Sequence, residues 1–269
     1  MIIIRLAGGL GNQIFQLGAG LLLAKRSNIK KIILDDSALS KYKAKRENKL
    51  LSFFDFNKLD IDIEFKNIWI IKLRLPKLVS YNFIKNIFVS DKNFKTVIQN
   101  PNKKLLVLDG YFQWELSQDN FDNIVVLLKN IFISQDATIN KDNVCVVHIR
   151  GGDFVKLGWN KITPKEYYLE AMKIMVEKYN INEFIIITDD KEYAKTILNQ
   201  VNYKYEFKCS SMQNDFYEIT LSSNRILSSS TFALWASALG NNDDGKVIAP
   251  QYWFPNQKRD IFLKNETRL

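Results

Sequence analysis

The stretch VCVVHIRGGDF, residues 144–154, holds the only histidine of a 269-residue chain, two positions ahead of an arginine, a glycine pair and an aspartate. Four chemistries are open to an imidazole in that setting: metal ligation, proton transfer, a supporting part in a phosphate site, and a hydrogen-bonded core position. Arg150 is less ambiguous. Its permanent charge and planar fork of donors suit a phosphate, and an arginine at the end of an apolar strand needs an anion as partner. Gly151 and Gly152 allow close backbone approach or positive φ beside it. Asp153 follows, either as a general base or as a cap on the loop backbone.

Three other groups have chemical types at useful spacing. LAGGLGNQ, residues 6–13, turns from an apolar run into a helical one, where free N–H groups and the positive helix end favour an anion. From Gly9 the spacing supplies Gly11 but puts Ile14 where a dinucleotide fingerprint has its third glycine, and no Gly-Lys-Ser/Thr follows to make a Walker loop. Ser228, Ser229, Ser230 and Thr231 stand where a strand enters a helix, offering hydroxyls and free N–H groups together, with plain N-capping as the simpler account. Asp189 and Asp190 close an apolar run, where a carboxylate meets a ribose or a base in an α/β sheet. Asp60 and Asp62 form the only D-x-D, but LDIDIEF alternates like an exposed edge strand rather than a metal loop.

The elements that must position these groups follow a βα rhythm. MIIIRL predicts a buried strand, a helix is expected from about Asn12, and KKIILDD predicts a second strand. Residues 37–104 lack clear periodicity and are expected to be a mixed insertion. A strand at KLLVLDGYFQ and a helix at DNFDNIVVLLKNIF follow, then a polar candidate linker at 134–142. Beyond it the alternation is cleaner: strand NVCVVHIR, a helix from ITPKEYY with Thr163 as cap and Glu166 closing a capping box, strand EFIIITDD, helix KEYAKTILNQ, strand YKYEFK, helix NDFYEITLSS, strand NRILS, helix STFALWASALG and strand GKVIAP. This is the pattern of a doubly wound nucleotide-binding domain, and it puts His148 and Arg150 at the carboxyl end of a strand, where such sheets hold ligands.

Composition narrows the setting. With 46% hydrophobic residues the chain can bury a large core. No apolar run reaches the length of a membrane span, and Lys25 and Arg26 interrupt the longest early one, so neither a span nor a signal sequence is expected. Two cysteines and one histidine fit a cytoplasmic protein without disulfides or a His/Cys metal site. The net charge of +9 is mostly scattered lysine. It reads as a solvated basic surface or as one that meets an anionic nucleotide or lipid headgroups. Nucleic acid is not expected, since no zinc finger, basic heptad or RNA-binding aromatic signature occurs.

Taken in order, the motifs resemble glycosyltransferase family 11, the α-1,2-fucosyltransferases, in their short prokaryotic form. GGLGNQIFQLGAG is similar to the family's N-terminal signature, DGYFQ to its Gly-Tyr-Phe-Gln segment, and VHIRGGDF to its His-x-Arg-Arg-x-Asp motif. FIIITDD resembles its Ser-Asp-Asp strand end, NDFYEITLSSNRILSSSTFALWASALG its Asn-Ser-Thr-Phe-Ser-Trp-Trp block, and VIAPQYWF its Pro-x-x-Trp-Phe segment, so the likeness runs from residue 3 to about residue 254.

The resemblance implies a GT-B architecture, two Rossmann-like domains facing across a cleft. An acceptor-side domain would span 1–136 and a nucleotide-sugar-binding domain 143–269. It implies inverting transfer of L-fucose from GDP-β-L-fucose to the 2-hydroxyl of a galactoside, with no metal and no other cofactor. The acceptor would belong to a bacterial surface glycan such as a lipid-linked O-antigen repeat. The enzyme would be cytoplasmic, docked on the inner membrane face by its positive surface. Carried over, Arg150 would hold the β-phosphate, Asp153 would be the candidate base, and His148 would shape the nucleotide pocket beside Gly151. Ser230, Thr231 and Phe232 would lie along the diphosphate and sugar, Asp189 near the nucleoside, Gly9, Gly11 and Asn12 at the mouth facing both substrates, and Gln113 on the acceptor.

The departures from the pattern have their own implications. Gly151 stands where the family usually has a second arginine, Ser222 and Asn224 replace a cysteine and a histidine, and Leu234 replaces a tryptophan. These positions are expected to flank the pocket, which keeps open a related GDP-6-deoxyhexose such as colitose, or nucleotide-sugar binding without turnover. Gly151→Arg is expected to fold and to alter donor choice or rate.

Overall fold

A computed structural model describes residues 1–41, 47–68, 87–101, 104–114, 116–135, 143–240 and 244–269. The chain divides into two compact units, Met1–Ile133 and Ser134–Leu269. Residues 136–142, most of the expected linker, lie outside the described residues, as does much of the expected insertion.

In the first unit, β1 (Ile2–Arg5) leads into α1 (Leu10–Ser27) and β2 (Lys31–Asp35). After these come β3 (Asp62–Phe65), β4 (Phe88–Val89), α2 (Phe94–Gln99), β5 (Leu106–Leu108) and α3 (Gln118–Ile131). All pairings are parallel, in the order β3-β2-β1-β5-β4. The central strands are short runs of Ile, Val and Leu because both faces of a parallel sheet are covered. The helix begins two residues before the expected Asn12. More consequentially, the stretch expected to be an insertion supplies both outer strands of the sheet: β3, at the alternating LDIDIEF expected to be an exposed edge strand, and β4. Asp62 lies exposed on β3, beside Lys31 at 3.2 Å, and Asp60 pairs with Lys30, so both D-x-D carboxylates have surface lysines as partners.

The second unit contains β6 (Val144–Ile149), α4 (Gly152–Lys156), α5 (Lys165–Tyr179), β7 (Glu183–Thr188), α6 (Lys191–Leu198) and β8 (Lys204–Phe207). It continues with α7 (Met212–Leu221), β9 (Asn224–Ile226), α8 (Thr231–Leu239) and β10 (Val247–Ala249). A hairpin of β11 (Tyr252–Phe254) and β12 (Gln257–Lys258) and a last strand, β13 (Glu266–Arg268), complete it. The six-stranded sheet is ordered β13-β10-β9-β6-β7-β8, all parallel. The first three strands build outward to one edge and the next three to the other, the doubly wound order in which direction reverses between β6 and β9. One cap differs from expectation. Pro164, not Thr163, occupies the N-cap of α5, and the Thr163 hydroxyl is buried and accepts from the Tyr168 hydroxyl at 3.3 Å, so no capping box forms.

Candidate active site

The reversal between β6 and β9 puts the carboxyl ends of both strands, and that of neighbouring β7, at one edge. The expected donor-side residues His148, Arg150, Asp189 and Ser230 stand on these strand ends or on the turns that leave them, and Thr231 and Phe232 open α8. His148 and Ser228 bridge the switch point directly, with Nδ1 and Oγ 2.8 Å apart. Burial, followed by the nearby Arg150 charge, pushes the histidine pKa down to about 3, so the ring is neutral. Its face packs on Phe232 with centroids 5.8 Å apart, and Phe232 meets Phe216 edge-on at 5.2 Å. A neutral imidazole fixed on both sides shapes a wall; it has no free role as a cation.

Arg150 leaves the end of β6 and meets two carboxylates. It pairs with Asp189 at 2.7 Å and with Asp153 at 2.5 Å, while its guanidinium lies 5.3 Å from the centre of the Phe154 ring. Asp189 also accepts the Gly151 N–H at 2.8 Å, and Asp190 accepts the Gly152 N–H at 3.3 Å while capping α6 through Tyr193 N at 3.0 Å. The two aspartates of the β7 end therefore grip the glycine turn of the β6 end. Phe154, Trp159 and Phe254 continue outward edge to face, with centroids 5.3 and 4.7 Å apart.

This grip corrects the expectation for Gly151. A Cβ there would stand 2.5 Å from Asp190 Cβ and 3.1 Å from Tyr193 Cδ1, so an arginine cannot enter without displacing the β7 turn. Gly152 has φ +47, a conformation that side chains strain, and its added Cβ would meet Asp189 Oδ2 at 2.7 Å. The second cationic position of the motif has become tight packing.

The serine cluster also resolves. The Ser228 hydroxyl is bound to His148, and the Ser229 hydroxyl donates to Trp253 O at 2.6 Å, tying the turn to the β11–β12 hairpin. Ser230 holds the N-cap position of α8 without a side-chain capping bond, next to Thr231. The hydroxyls of Ser228 and Ser229 are thus engaged within the protein, and only the helix start keeps the arrangement expected of an anion cradle. Tyr167 supports the turn from below, donating to Leu227 O at 2.6 Å.

Ser222 and Asn224 do not flank the pocket. Asn224 begins β9, so it lies at the amino edge of the sheet, where its side chain donates to Val144 O at 3.2 Å and accepts from Lys246 N at 3.1 Å. Ser222 donates to Asn224 O at 2.9 Å beside it. Leu234 is buried within α8. Sequence reasoning passed over Arg225, a buried cation that donates to Ile219 O at 2.7 Å, Thr220 O at 3.0 Å and Ser237 O at 3.3 Å, joining α7 to α8. Burial lowers its pKa to about 10, so it stays charged.

The other expected residues belong to the first unit. Gly9 is the N-cap of α1, and Gly11 and Asn12 lie in its first turn, after Gly8 at φ +75. Gln113 is buried in the loop after β5, where Asp91 accepts from Tyr111 N at 3.1 Å and Phe112 N at 2.5 Å. Gln16 joins this loop to the glycine turn, accepting from Ala7 N at 3.0 Å and donating to Gly110 O at 2.9 Å.

The glycosyl transferase family 11 model matches residues 1–268. The chain belongs to glycosyl transferase family 11. Among this family 11 chain's relatives, the O-antigen biosynthesis glycosyltransferase WbnK of Escherichia coli is 25% identical over 289 residues, spanning 94% of this chain and 95% of WbnK. An alpha-1,2-colitosyltransferase of the same species is 26% identical over 286 residues, spanning 97% and 95%. The solved fucosyltransferase NodZ from Bradyrhizobium superposes with a TM-score of 0.56 at 13% identity, over 89% of this chain and 92% of NodZ, a likeness of fold. The family 11 chain is thus a glycosyltransferase with the two parallel sheets of the GT-B class. Among its described residues no helix is long and apolar enough to cross a membrane.

Proposed function

We propose that the protein transfers L-fucose from GDP-β-L-fucose to the 2-hydroxyl of a galactoside in a bacterial surface glycan, inverting the anomeric centre. The observation that carries this reading is Arg150 at the switch-point edge of the second unit, held by Asp189 and Asp153. In one displacement the acceptor oxygen bonds to the anomeric carbon, the bond to the β-phosphate oxygen breaks, and the electron pair leaves with GDP. Charge growing on the leaving phosphate is met by Arg150 and the start of α8, preorganised groups that need no metal. Ser230, Thr231 and Phe232 lie along the diphosphate and sugar, His148 and Gly151 line the pocket, and Gly9, Gly11 and Asn12 of the first unit are assigned to substrate contact on the family resemblance.

Asp153 has two tasks in sequence. It partners Arg150 until the diphosphate takes that place, and the released carboxylate then receives the acceptor proton. Its side chain is 44% exposed and Arg150's is 25%. A pair this open contributes ~0–1 kcal/mol, so exchange for a phosphate costs little. Asp189 stays with Arg150 and Gly151 and aims the guanidinium, a positioning part beyond the nucleoside contact expected of it.

The relative named alpha-1,2-colitosyltransferase supports a second donor, GDP-colitose, on the same machinery. The name O-antigen biosynthesis glycosyltransferase supports a lipid-linked repeat as acceptor, which a cytoplasmic protein of net charge +9 would meet at the anionic inner membrane face. The deciding experiment is a panel of GDP-sugars against galactosides, with and without EDTA, and product linkage read by NMR. An α-1,2-linked 6-deoxyhexose formed equally in EDTA is the expected result. Transfer only from another nucleotide sugar, or loss of turnover in EDTA, overturns it.

A further inference from the structure

Behind the serine turn of the second unit lies a buried charge that the transfer reaction as drawn does not use. Arg259, just past the β11–β12 hairpin, is 2% exposed; its Nε and Nη2 donate to Pro250 O at 3.3 and 3.2 Å, and Nη2 pairs with Glu266 at 2.5 Å. Arg268 pairs through Nε with the same carboxylate oxygen at 2.7 Å, and its other two nitrogens donate to Arg259 O at 2.5 Å and Ile261 O at 2.6 Å. Two arginines thus share one carboxylate. No other acidic side chain pairs with either of them among the described residues, and Lys258 and Asp260, the exposed charges on each side of Arg259, cancel. Arg259 Nη1 is buried without a hydrogen-bond partner among the described residues. Burial lowers the Arg259 pKa, Glu266 raises it, and the Arg268 charge lowers it again, as expected of a cation whose counter-charge is shared.

A surplus charge held this far from water is costly unless something nearby answers it. Arg259 faces a cavity of about 10 Å³ whose walls include Ser228, Ser229, Ser230 and Trp253. Such a cavity has room for one water and none for a phosphate, so the charge reaches the far side of the turn as a field and not by contact. Beyond the turn the edge is short of positive charge: Arg150 stands there with Asp153, Asp189 and Asp190, one cation among three carboxylates. Their hydrogen bonds are satisfied, yet their sum repels a diphosphate. The hairpin side holds the opposite surplus, and the Ser229 bond to Trp253 O fixes the turn between the two.

We propose that the Arg259–Glu266–Arg268 cluster is an electrostatic positioning element of the donor site, whose surplus positive charge offsets the aspartates and favours the diphosphate both on binding and as the leaving group. The inference rests on the sugar-transfer reading above and deepens it. Neither arginine touches substrate; the charge acts across the serine turn through a medium of low dielectric, where it is screened far less than at the surface.

The test separates charge from structure at Arg268. Arg268→Met removes the surplus and leaves the Arg259–Glu266 pair, while Arg268→Lys keeps the charge and gives up the guanidinium bonds to Arg259 O and Ile261 O. Calorimetric titration with GDP, GMP and guanosine should show GDP binding about tenfold weaker in Arg268→Met, GMP less affected and guanosine unchanged, with Arg268→Lys within about twofold of the parent for all three. Melting temperatures should fall alike in both variants, since both lose the same bonds. Arg268→Gln replaces Arg268→Met if the latter folds poorly. Equal weakening of GDP by Lys and Met, equal weakening of GDP and guanosine, or unchanged GDP binding in Arg268→Met would overturn the proposal. If the parent transfers sugar from its GDP donor and only the Arg268 results fail, the cluster's role is wrong and the reaction stands. A parent that binds no GDP at all defeats the sugar-transfer reading, and the cluster's role with it.

Discussion

The carboxyl edges of the two sheets each hold an arginine paired with aspartate, but differ in what surrounds it. At the edge of Ser134–Leu269 every charged group near the switch point is matched: Arg150 by Asp153 and Asp189, and the glycine N–H groups by Asp189 and Asp190. The edge of Met1–Ile133 also carries charge, with Arg5 at the end of β1 paired to Asp109 after β5 at 2.6 Å and Asp35 buried at the end of β2, and beside them stand buried neutral amides, among them Gln16, which bonds Ala7 N and Gly110 O. The difference follows from what each kind of group can tolerate. A charge cannot stand unpaired in a half-buried turn, so Arg150 keeps two carboxylates in place, one of which a phosphate would replace under the proposed function. A neutral carbonyl can stay unpaired at moderate cost, whereas a charge of this kind cannot.

Removing the charge breaks the contrast most sharply. Arg150→Ala should lower transfer by about 10³-fold, on the scale of losing a preorganised donor to a developing anion. Arg150→Lys should recover little, because a point charge cannot reproduce the fork that faces Asp189 on one side and phosphate on the other. Initial rates with saturating acceptor measure both. Near-normal turnover in Arg150→Ala would remove the anion edge from the mechanism. The next effect is on folding: Gly151→Arg puts a Cβ against Asp190 Cβ, and overpacking of this kind costs about 1–3 kcal/mol. Urea denaturation should show the loss, and Gly151→Ala should show most of it, since the first carbon collides. Unchanged stability would mean that the grip of the β7 turn is loose.

These two predictions also mark what could be learned from residue order alone. The βα alternation of the second half, Arg150 at a strand end and the family itself were legible, because apolar runs with polar ends report strands directly. The pairing of Arg150 with Asp189 was not, because it depends on β6 and β7 being neighbours, and strand order is a property of the sheet. Ser222 and Asn224 misled for a related reason: adjacent in sequence to the serine turn, they sit at the other end of a three-residue strand. The alternation of LDIDIEF announced β3 as an edge strand, whereas β4 passed for part of an insertion because a two-residue strand shows no period. That the buried oxygens of Gln13 and Gln113 meet no partner among the described residues is visible only as a balance of donors and acceptors in three dimensions.

Asp189→Asn sharpens the comparison by leaving the arginine in place while weakening what aims it. The amide oxygen can still accept the Gly151 N–H, so folding should change little, within about 0.5 kcal/mol. Transfer should fall about tenfold through kcat, as the guanidinium loses one of its two fixed partners. A fall confined to the GDP-sugar KM would instead assign Asp189 to the nucleoside.

The smallest effect tests the neutral residue in the charged edge. His148 has its pKa lowered to about 3 from an ordinary 6.5, by burial first and Arg150 second. The unfolded chain therefore binds a proton that the folded protein refuses between those two values. Stability contributed by the neutral ring is fully present above about pH 6.5 and declines as pH falls, by at most about 1.4 kcal/mol per pH unit. Denaturation midpoints at stepped pH between about 7 and 5, above the range where most carboxylates titrate, should show that slope in the parent. In His148→Gln it should flatten, even if the variant starts less stable for want of the Ser228 bond. An equal slope in both proteins would mean that the ring takes up its proton in the folded state, beside Arg150, and that the wall of the pocket is less closed than its burial indicates.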